Sequence, residues 1–269
     1  MINYLKAAAL LAALMALFLL IGIALGGEES IWPALGLSVF AGAYAYFYGP
    51  ELLIRAYRAR EIDRGAAASL LRRVHDLSNI AGITPPRIFV SDNLPPNALA
   101  VGRSQSEAII ILTSSLLAIM SEDELIAIIA HEITHIKYYD TLVMTVAVIF
   151  TRAIAAIVAP LFLIALFAPR GRAACFTLTA ATGIAAGAIL YTMLNRSREY
   201  AADKSSAVLC GRSDWLISSL QKLNEAKRLC VDPSSETSPH FLSTHPSIES
   251  RIQRLHNFSP NIRAVSCSR

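Results

Sequence analysis

His131, Glu132 and His135 stand in the run His-Glu-Ile-Thr-His, a spacing suited to a single metal ion. Four residues make about one helical turn, so both imidazoles leave the same face and can grip one metal. Glu132 then lies beside the ion rather than on it, placed to take a proton from a water that the metal acidifies. Two ordinary histidines on an amphipathic helix would look the same in isolation. With only six histidines in 269 residues, however, a chance match to the whole pattern is rare.

A helix must carry this motif, and the flanking residues specify one. Ser121 followed by Glu124 has the form of a capping box, and Glu122 and Asp123 add negative charge to the first turn. Leu125, Ile126, Ile128, Ile129, Ile133 and Ile136 then recur at helical spacing, which buries the helix and makes it a rigid platform.

A catalytic site of this type needs a third protein ligand. The run from Arg196 to Asp203 offers Glu199 and Asp203, four residues apart on a helix expected to end near Gly211, so their carboxylates share a face. Glu199 reads as the ligand and Asp203 as the acceptor for a histidine ring N–H, fixing its tautomer. By itself the run also reads as a solvated helix, with Glu199 and Asp203 paired to Arg196 or Lys204. A metal motif lacking its third ligand tips the reading toward the metal. Residues 131 and 199 must then lie on the same side of any membrane, with an even number of crossings between them.

A membrane is expected, because the chain is 54% hydrophobic and 16% charged, against about 25% charged in an ordinary globular domain. Residues 7–26 carry no charge and are long enough to span a bilayer core; residues 31–49 form a second candidate, with Trp32 at one end and Tyr44, Tyr46 and Tyr48 toward the other. The first run is long for a signal peptide and no Ala-x-Ala-like site precedes Gly26-Gly27, so it reads as a retained anchor. Residues 142–168 and 173–194 form a second apolar pair that either crosses the bilayer or lies partly outside it, since Arg152 interrupts it. Lys6 before the first span and Arg55, Arg58, Arg60 and Arg64 after the second put those flanks in the cytoplasm. Arg170 and Arg172 pull weakly the other way.

The domain order is therefore a transmembrane hairpin over 1–50, a first soluble block over 51–141, the apolar pair over 142–194 and a second soluble block over 195–269. In the first block, residues 65–81 read as an amphipathic helix ending near Gly82, and Arg87 to Ser91 as a strand. Asn97 to Gly102 and Ala108 to Thr113 read as a hairpin. The fold class is α+β, mostly helical with a small sheet, in a multi-pass membrane protein. Four scattered cysteines make neither a disulfide framework nor a metal cluster, in keeping with a reducing compartment. The net charge of +4 is accounted for by the membrane flanks, and no basic stripe with interleaved aromatics points to nucleic acid.

The His-Glu-Ile-Thr-His run, Arg-Ser-Arg-Glu-Tyr-Ala-Ala-Asp over 196–203, Asn-Ala-Leu-Ala-Val-Gly over 97–102 and Thr-His-Pro-Ser over 244–247 together resemble the M48 membrane metalloproteases. More narrowly they resemble the HtpX-type heat-shock proteases. The resemblance covers nearly the whole chain, and four motifs in this order are far more specific than His-Glu-x-x-His alone. It implies a zincin-like protease domain interrupted by membrane helices in the bacterial inner membrane, with the active site facing the cytoplasm. It also implies one zinc ion on His131, His135 and Glu199, with Glu132 as general base and Asp203 as the carboxylate behind a ligand. By the same resemblance, Asn97, Ala98, Ala100 and Gly102 belong to an edge strand along which an extended substrate lies. His245 then stabilises the developing oxyanion, and Arg251 braces Asp203 or its neighbourhood. The substrates implied are misfolded or damaged membrane proteins, cleaved in stress-related quality control.

Three other readings fare worse. An intramembrane protease conflicts with the polar residues Lys137, Tyr138, Tyr139 and Asp140 just after the motif. A structural zinc site would close all four positions and need no Glu132. A metal transporter would place its ligands inside the spans.

Overall fold

The computed structural model describes residues 31–92, 94–143, 198–230 and 246–258, with Glu29, Thr145 and a few scattered positions before residue 20. The chain divides into two compact units, Met1–Glu51 with Leu142–Tyr191, and Leu52–Thr141 with Thr192–Arg269.

Of the first unit, most lies outside the described residues, including nearly all of the apolar runs at 7–26, 142–168 and 173–194. Over the remaining run the chain forms helix α1 (Ile31–Ala56), which continues past Pro50 into the second unit. Among the described residues no helix is long and apolar enough to cross a membrane. Trp32, Leu37, Phe40, Phe47 and Tyr48 are nevertheless exposed along α1.

The second unit holds a four-stranded sheet of β1 (Arg60–Glu61), β2 (Arg87–Ser91), β3 (Ala98–Val101) and β4 (Ile109–Thr113), in the order β1-β2-β4-β3. The strand at 87–91 and the hairpin of β3 and β4 form where the sequence places them, with Ala98 opposite Leu112 and Ala100 opposite Ile110. The pairing of β2 with β4 is parallel, which the order of strands along the chain does not reveal. Composition explains it. β4 is Ile-Ile-Ile-Leu-Thr, buried at all five positions, and such an uninterrupted apolar run belongs in the middle of a covered sheet. The alanine-rich β3 covers less apolar surface and takes the edge. β1, two exposed polar residues, carries no periodicity to be read.

Helix α2 (Ala68–Ala81) buries Leu70, Val74 and Leu77 and stops at Gly82, whose φ of 74° suits a residue without a Cβ. A short helix α3 (Ser114–Ile119) leads to α4 (Glu122–Lys137), which carries the metal motif. α4 packs against α2, against β3 and against α6 (Asp214–Cys230), and every residue from Glu124 to Ile136 is buried. Helix α5 is described over 198–210, and α7 (Ile248–His256) packs on α6.

The capping box is present: Ser121 Oγ accepts from Glu124 N–H, and Glu124 Oε2 accepts from Ser121 N–H at 2.7 Å. The same carboxylate accepts from Lys222 Nζ at 2.7 Å and Ser218 Oγ at 2.6 Å, tying the start of α4 to α6. Burial opposes ionisation here, but Lys222, Ser218 and Ser121 outweigh it and hold Glu124 down at about 2, against an ordinary 4.5. A carboxyl that ionises more readily folded than unfolded contributes its stability above pH 4.5 and loses it as pH falls toward 2. Glu124→Gln should therefore cost about 2 kcal/mol at pH 7, Lys222 being partly solvated. The gap to wild type in urea unfolding should close between pH 5 and about pH 2. A gap independent of pH would mean that Glu124 acts through packing alone.

Candidate metal centre and active site

His131 and His135, one turn apart on α4, point their Nε2 atoms at each other across 3.1 Å. α5 brings Glu199 to the same point, with Oε2 3.5 Å from His131 Nε2 and Oε1 3.5 Å from His135 Nε2. All three ligand atoms lie within 4.8 Å of one another, and all three residues are buried.

The sequence of α5 explains how the carboxylate gets there. Glu199, Asp203 and Ser206 recur at four and three residues, forming one polar stripe that is almost wholly buried. Ser206 Oγ donates to the carbonyl of Ala127 at 2.7 Å, and Ala127 and Ala207 are small enough to let the helices close. Without partners on α4, this stripe would be costly to bury.

Behind His131, Nδ1 meets Asp203 Oδ1 at 3.0 Å. Asp203 is gripped at both oxygens by Arg251, from Nη2 at 2.6 Å and Nε at 2.8 Å. Arg251 reaches inward from α7, which Ser247 caps and Leu255 anchors in the core. Tyr200 holds α7 to α5, through Ser250 Oγ at 3.0 Å and beneath the guanidinium of Arg254 at 3.8 Å.

His135 has a matching arrangement that sequence reasoning missed. Its Nδ1 meets Asp140 Oδ2 at 3.1 Å, and Asp140 is in turn paired with Arg198 on α5. The local backbone makes this contact. α4 ends at Tyr138, and Tyr139 takes a φ of 59°, a left-handed conformation uncommon outside glycine, which folds Asp140 back under the helix. An acidic residue five places after the second histidine, just past the helix end, was the available signal.

Burial opposes charge on both imidazoles, yet Asp140 and Glu199 push His135 up to about 10, and Asp203 and Glu199 raise His131. Both rings thus sit in a strongly cation-seeking pocket. The carboxylates Glu132, Asp140, Glu199 and Asp203 outnumber the guanidiniums Arg198 and Arg251 by two, an excess that the ring protons, or a divalent ion displacing them, would balance. With each Nδ1 turned to a carboxylate, each Nε2 faces the shared point, where a metal displacing the ring proton would meet its lone pair. Two nitrogens and a carboxylate oxygen therefore fit a catalytic transition metal.

Glu132 turns one carboxylate oxygen to the sheet, where its Oε2 accepts from the main-chain N–H of Ala100 at 2.9 Å. Thr113 N–H donates to the carbonyl of Asn97, so the odd residues of this stretch pair with β4 and the even ones turn their main chain to the open edge. At that edge the N–H of Ala98 is taken by Asn97 Oδ1 at 3.0 Å and that of Ala100 by Glu132. Of the expected strand residues Asn97 is exposed, Ala98 half-buried and Ala100 fully buried. A Cβ on Gly102 would meet the Ala108 backbone at 2.8 Å, so that crossing demands glycine. Gly102→Val should push β3 off β4 and lower activity at least tenfold through KM and kcat together. An unchanged KM would show that the strand edge is not where substrate lies. His245 lies outside the described residues, as does the linker at 231–241.

Two imidazoles and a carboxylate converging beside a further glutamate, with a strand edge running past it, is the equipment of a metallopeptidase. Comparison with known proteins gives the same class. The model of Peptidase family M48 matches residues 64–259. The proteins named Protease HtpX homolog from Paraburkholderia phytofirmans and Burkholderia mallei are each 30% identical, over 95% of this chain and 96% of their own. The chain belongs to peptidase family M48, and it is a metalloprotease with a metal cofactor. The crystal structure of S. mikatae Ste24p shares the fold at a TM-score of 0.56 and 21% identity, covering 95% of this chain. This chain spans 64% of that protein's length.

Proposed function

We propose that this protein is a zinc-dependent endopeptidase of the bacterial inner membrane, with its active site facing the cytoplasm. His131, His135 and Glu199 hold one zinc ion per chain. The observation that carries the reading is the convergence of their three ligand atoms within 4.8 Å. Zinc bound there supplies Lewis acidity toward the scissile carbonyl and acidifies the attacking water.

The chain's own residues do the rest. Glu132 takes the water's proton at a carboxylate oxygen and returns it to the departing amine. Asp203, braced by Arg251, keeps the His131 ring turned toward the metal. An extended substrate lies along β3, where the carbonyls of Ala98 and Ala100 accept from its N–H groups and the small side chains leave room. Asn97 and Gly102 close the two ends of that strand edge. His245, six residues before Arg251, donates to the developing oxyanion.

The soluble blocks 51–141 and 195–269 form the protease domain, and the runs at 7–26, 31–49, 142–168 and 173–194 associate with lipid. Large apolar side chains exposed along α1 and the basic residues Arg55, Arg58, Arg60 and Arg64 beyond them support a membrane flank. The protein's substrates are misfolded or damaged membrane proteins, cleaved in stress-related quality control, as the resemblance to HtpX-type heat-shock proteases implies.

The test is metal removal from the full chain in detergent. Stripping with 1,10-phenanthroline should abolish cleavage of unfolded casein, and about one equivalent of zinc should restore it. Cleavage that survives in metal-free protein, or a chain loaded with one zinc that cuts no unfolded substrate, overturns the proposal.

A further inference from the structure

His131 and His135 are backed by two arrangements of the same kind: an Nδ1, a buried carboxylate and an arginine holding that carboxylate. On one side these are Asp203 and Arg251; on the other, Asp140 and Arg198. The second set differs in where its members come from. Asp140 stands at the exit of α4, three residues beyond Lys137, and Arg198 on α5 immediately precedes the ligand Glu199. The two are 58 positions apart in the chain, and their ion pair lies beside the metal cluster. Asp140 is 5% exposed and His135 2%, so the contact between them is buried, and Arg198 reaches Asp140 from a half-buried position.

We infer that Asp140 and Arg198 form a clasp that positions the metal ligands. Asp140 fixes the tautomer and rotation of His135, and Arg198 fixes Asp140 while setting the start of the α5 turn that presents Glu199. One contact thus bears on two of the three ligands, His135 and Glu199. The inference rests on the reading of His131, His135 and Glu199 as the metal site. Asp140 and Arg198 touch neither substrate nor metal; they are positioning residues.

Zinc affinity of the detergent-solubilised full chain, measured by chelator competition, separates the cases. Asp140→Ala should weaken zinc binding by about 10- to 100-fold. Asp140→Asn keeps an oxygen facing the ring N–H and should fall between it and wild type. Arg198→Met should weaken binding by about tenfold and Arg198→Lys by less. The melting temperatures of the metal-free forms supply the readout for a purely structural role, and Asp140→Asn and Arg198→Lys keep the test open if Asp140→Ala fails to fold. Affinity lost with metal-free melting little changed supports the clasp. A wild type holding one zinc beside an Asp140→Ala or Asp140→Asn chain of equal affinity overturns the clasp alone. Affinity lost only in step with metal-free melting also overturns it, leaving Asp140 a fold residue. A wild type that holds no zinc overturns the metal reading, and the clasp falls with it.

Discussion

Glu132→Gln should lower kcat for casein cleavage by about a thousandfold while KM and bound zinc stay close to wild type. The expectation follows from where the carboxylate sits. Glu132 is not among the three converging ligands, so the metal should stay. A glutamine oxygen can still accept the Ala100 N–H that Glu132 Oε2 accepts at 2.9 Å, so the register of α4 against β3 is kept. The amide cannot take up a proton, and although one negative charge goes with it, the three converging ligands are untouched. Glu132→Asp retains the charge but draws it back by about one methylene, breaking the Ala100 contact, and should lose about a hundredfold. A Glu132→Gln chain that keeps more than a tenth of wild-type kcat would place the base elsewhere.

Arg251→Ala should destabilise the metal-free protein by about 3–5 kcal/mol, the cost of breaking a buried ion pair from one side. Arg251 is 7% exposed, holds both oxygens of Asp203, and has Nη1 3.7 Å from Glu199 Oε2. Burial alone would raise the Asp203 carboxyl; Arg251 and His131 outweigh it and hold it down at about 2. Without the guanidinium, the buried carboxylates of Asp203 and Glu199 lose the positive charge they share. Bound zinc should recover part of the loss by supplying positive charge to the same cluster, so the change in melting temperature should be smaller in the loaded protein. Arg251→Lys keeps the charge but loses the two-pronged grip and should fall between. Melting within a degree or two of wild type for metal-free Arg251→Ala would show that the cluster does not depend on this residue.

Local chemistry made much of this protein legible in its sequence. Helix α4, with its Ser121–Glu124 capping box, its buried isoleucines and its paired histidines, depends on contacts within four residues and needs no tertiary information. The strand at 87–91, the hairpin of β3 and β4 and the end of α2 at Gly82 are similarly local. Glu199, Asp203 and Arg251 lie 64 to 120 residues from the histidines they meet, and chain spacing alone made Glu199 and Asp203 read more readily as a solvated helix. The missing third ligand of the His131–His135 pair tipped Glu199 and Asp203 toward the metal, and family resemblance alone singled out Arg251.

Three things were decided only by the tertiary structure. The parallel pairing of β2 with β4 depends on which strand wins the centre of the sheet, a competition over burial between segments far apart in the chain. The acceptance of the Ala100 N–H by Glu132 depends on α4 lying against an open strand edge. The contact of Asp140 with His135 and Arg198 depends on a left-handed turn at Tyr139 and on α5 arriving beside it. His131, Glu132 and His135 set the chemistry within one helical turn, because helical geometry alone aligns them. The orientation of each imidazole needed carboxylates from segments that meet only when the chain has packed.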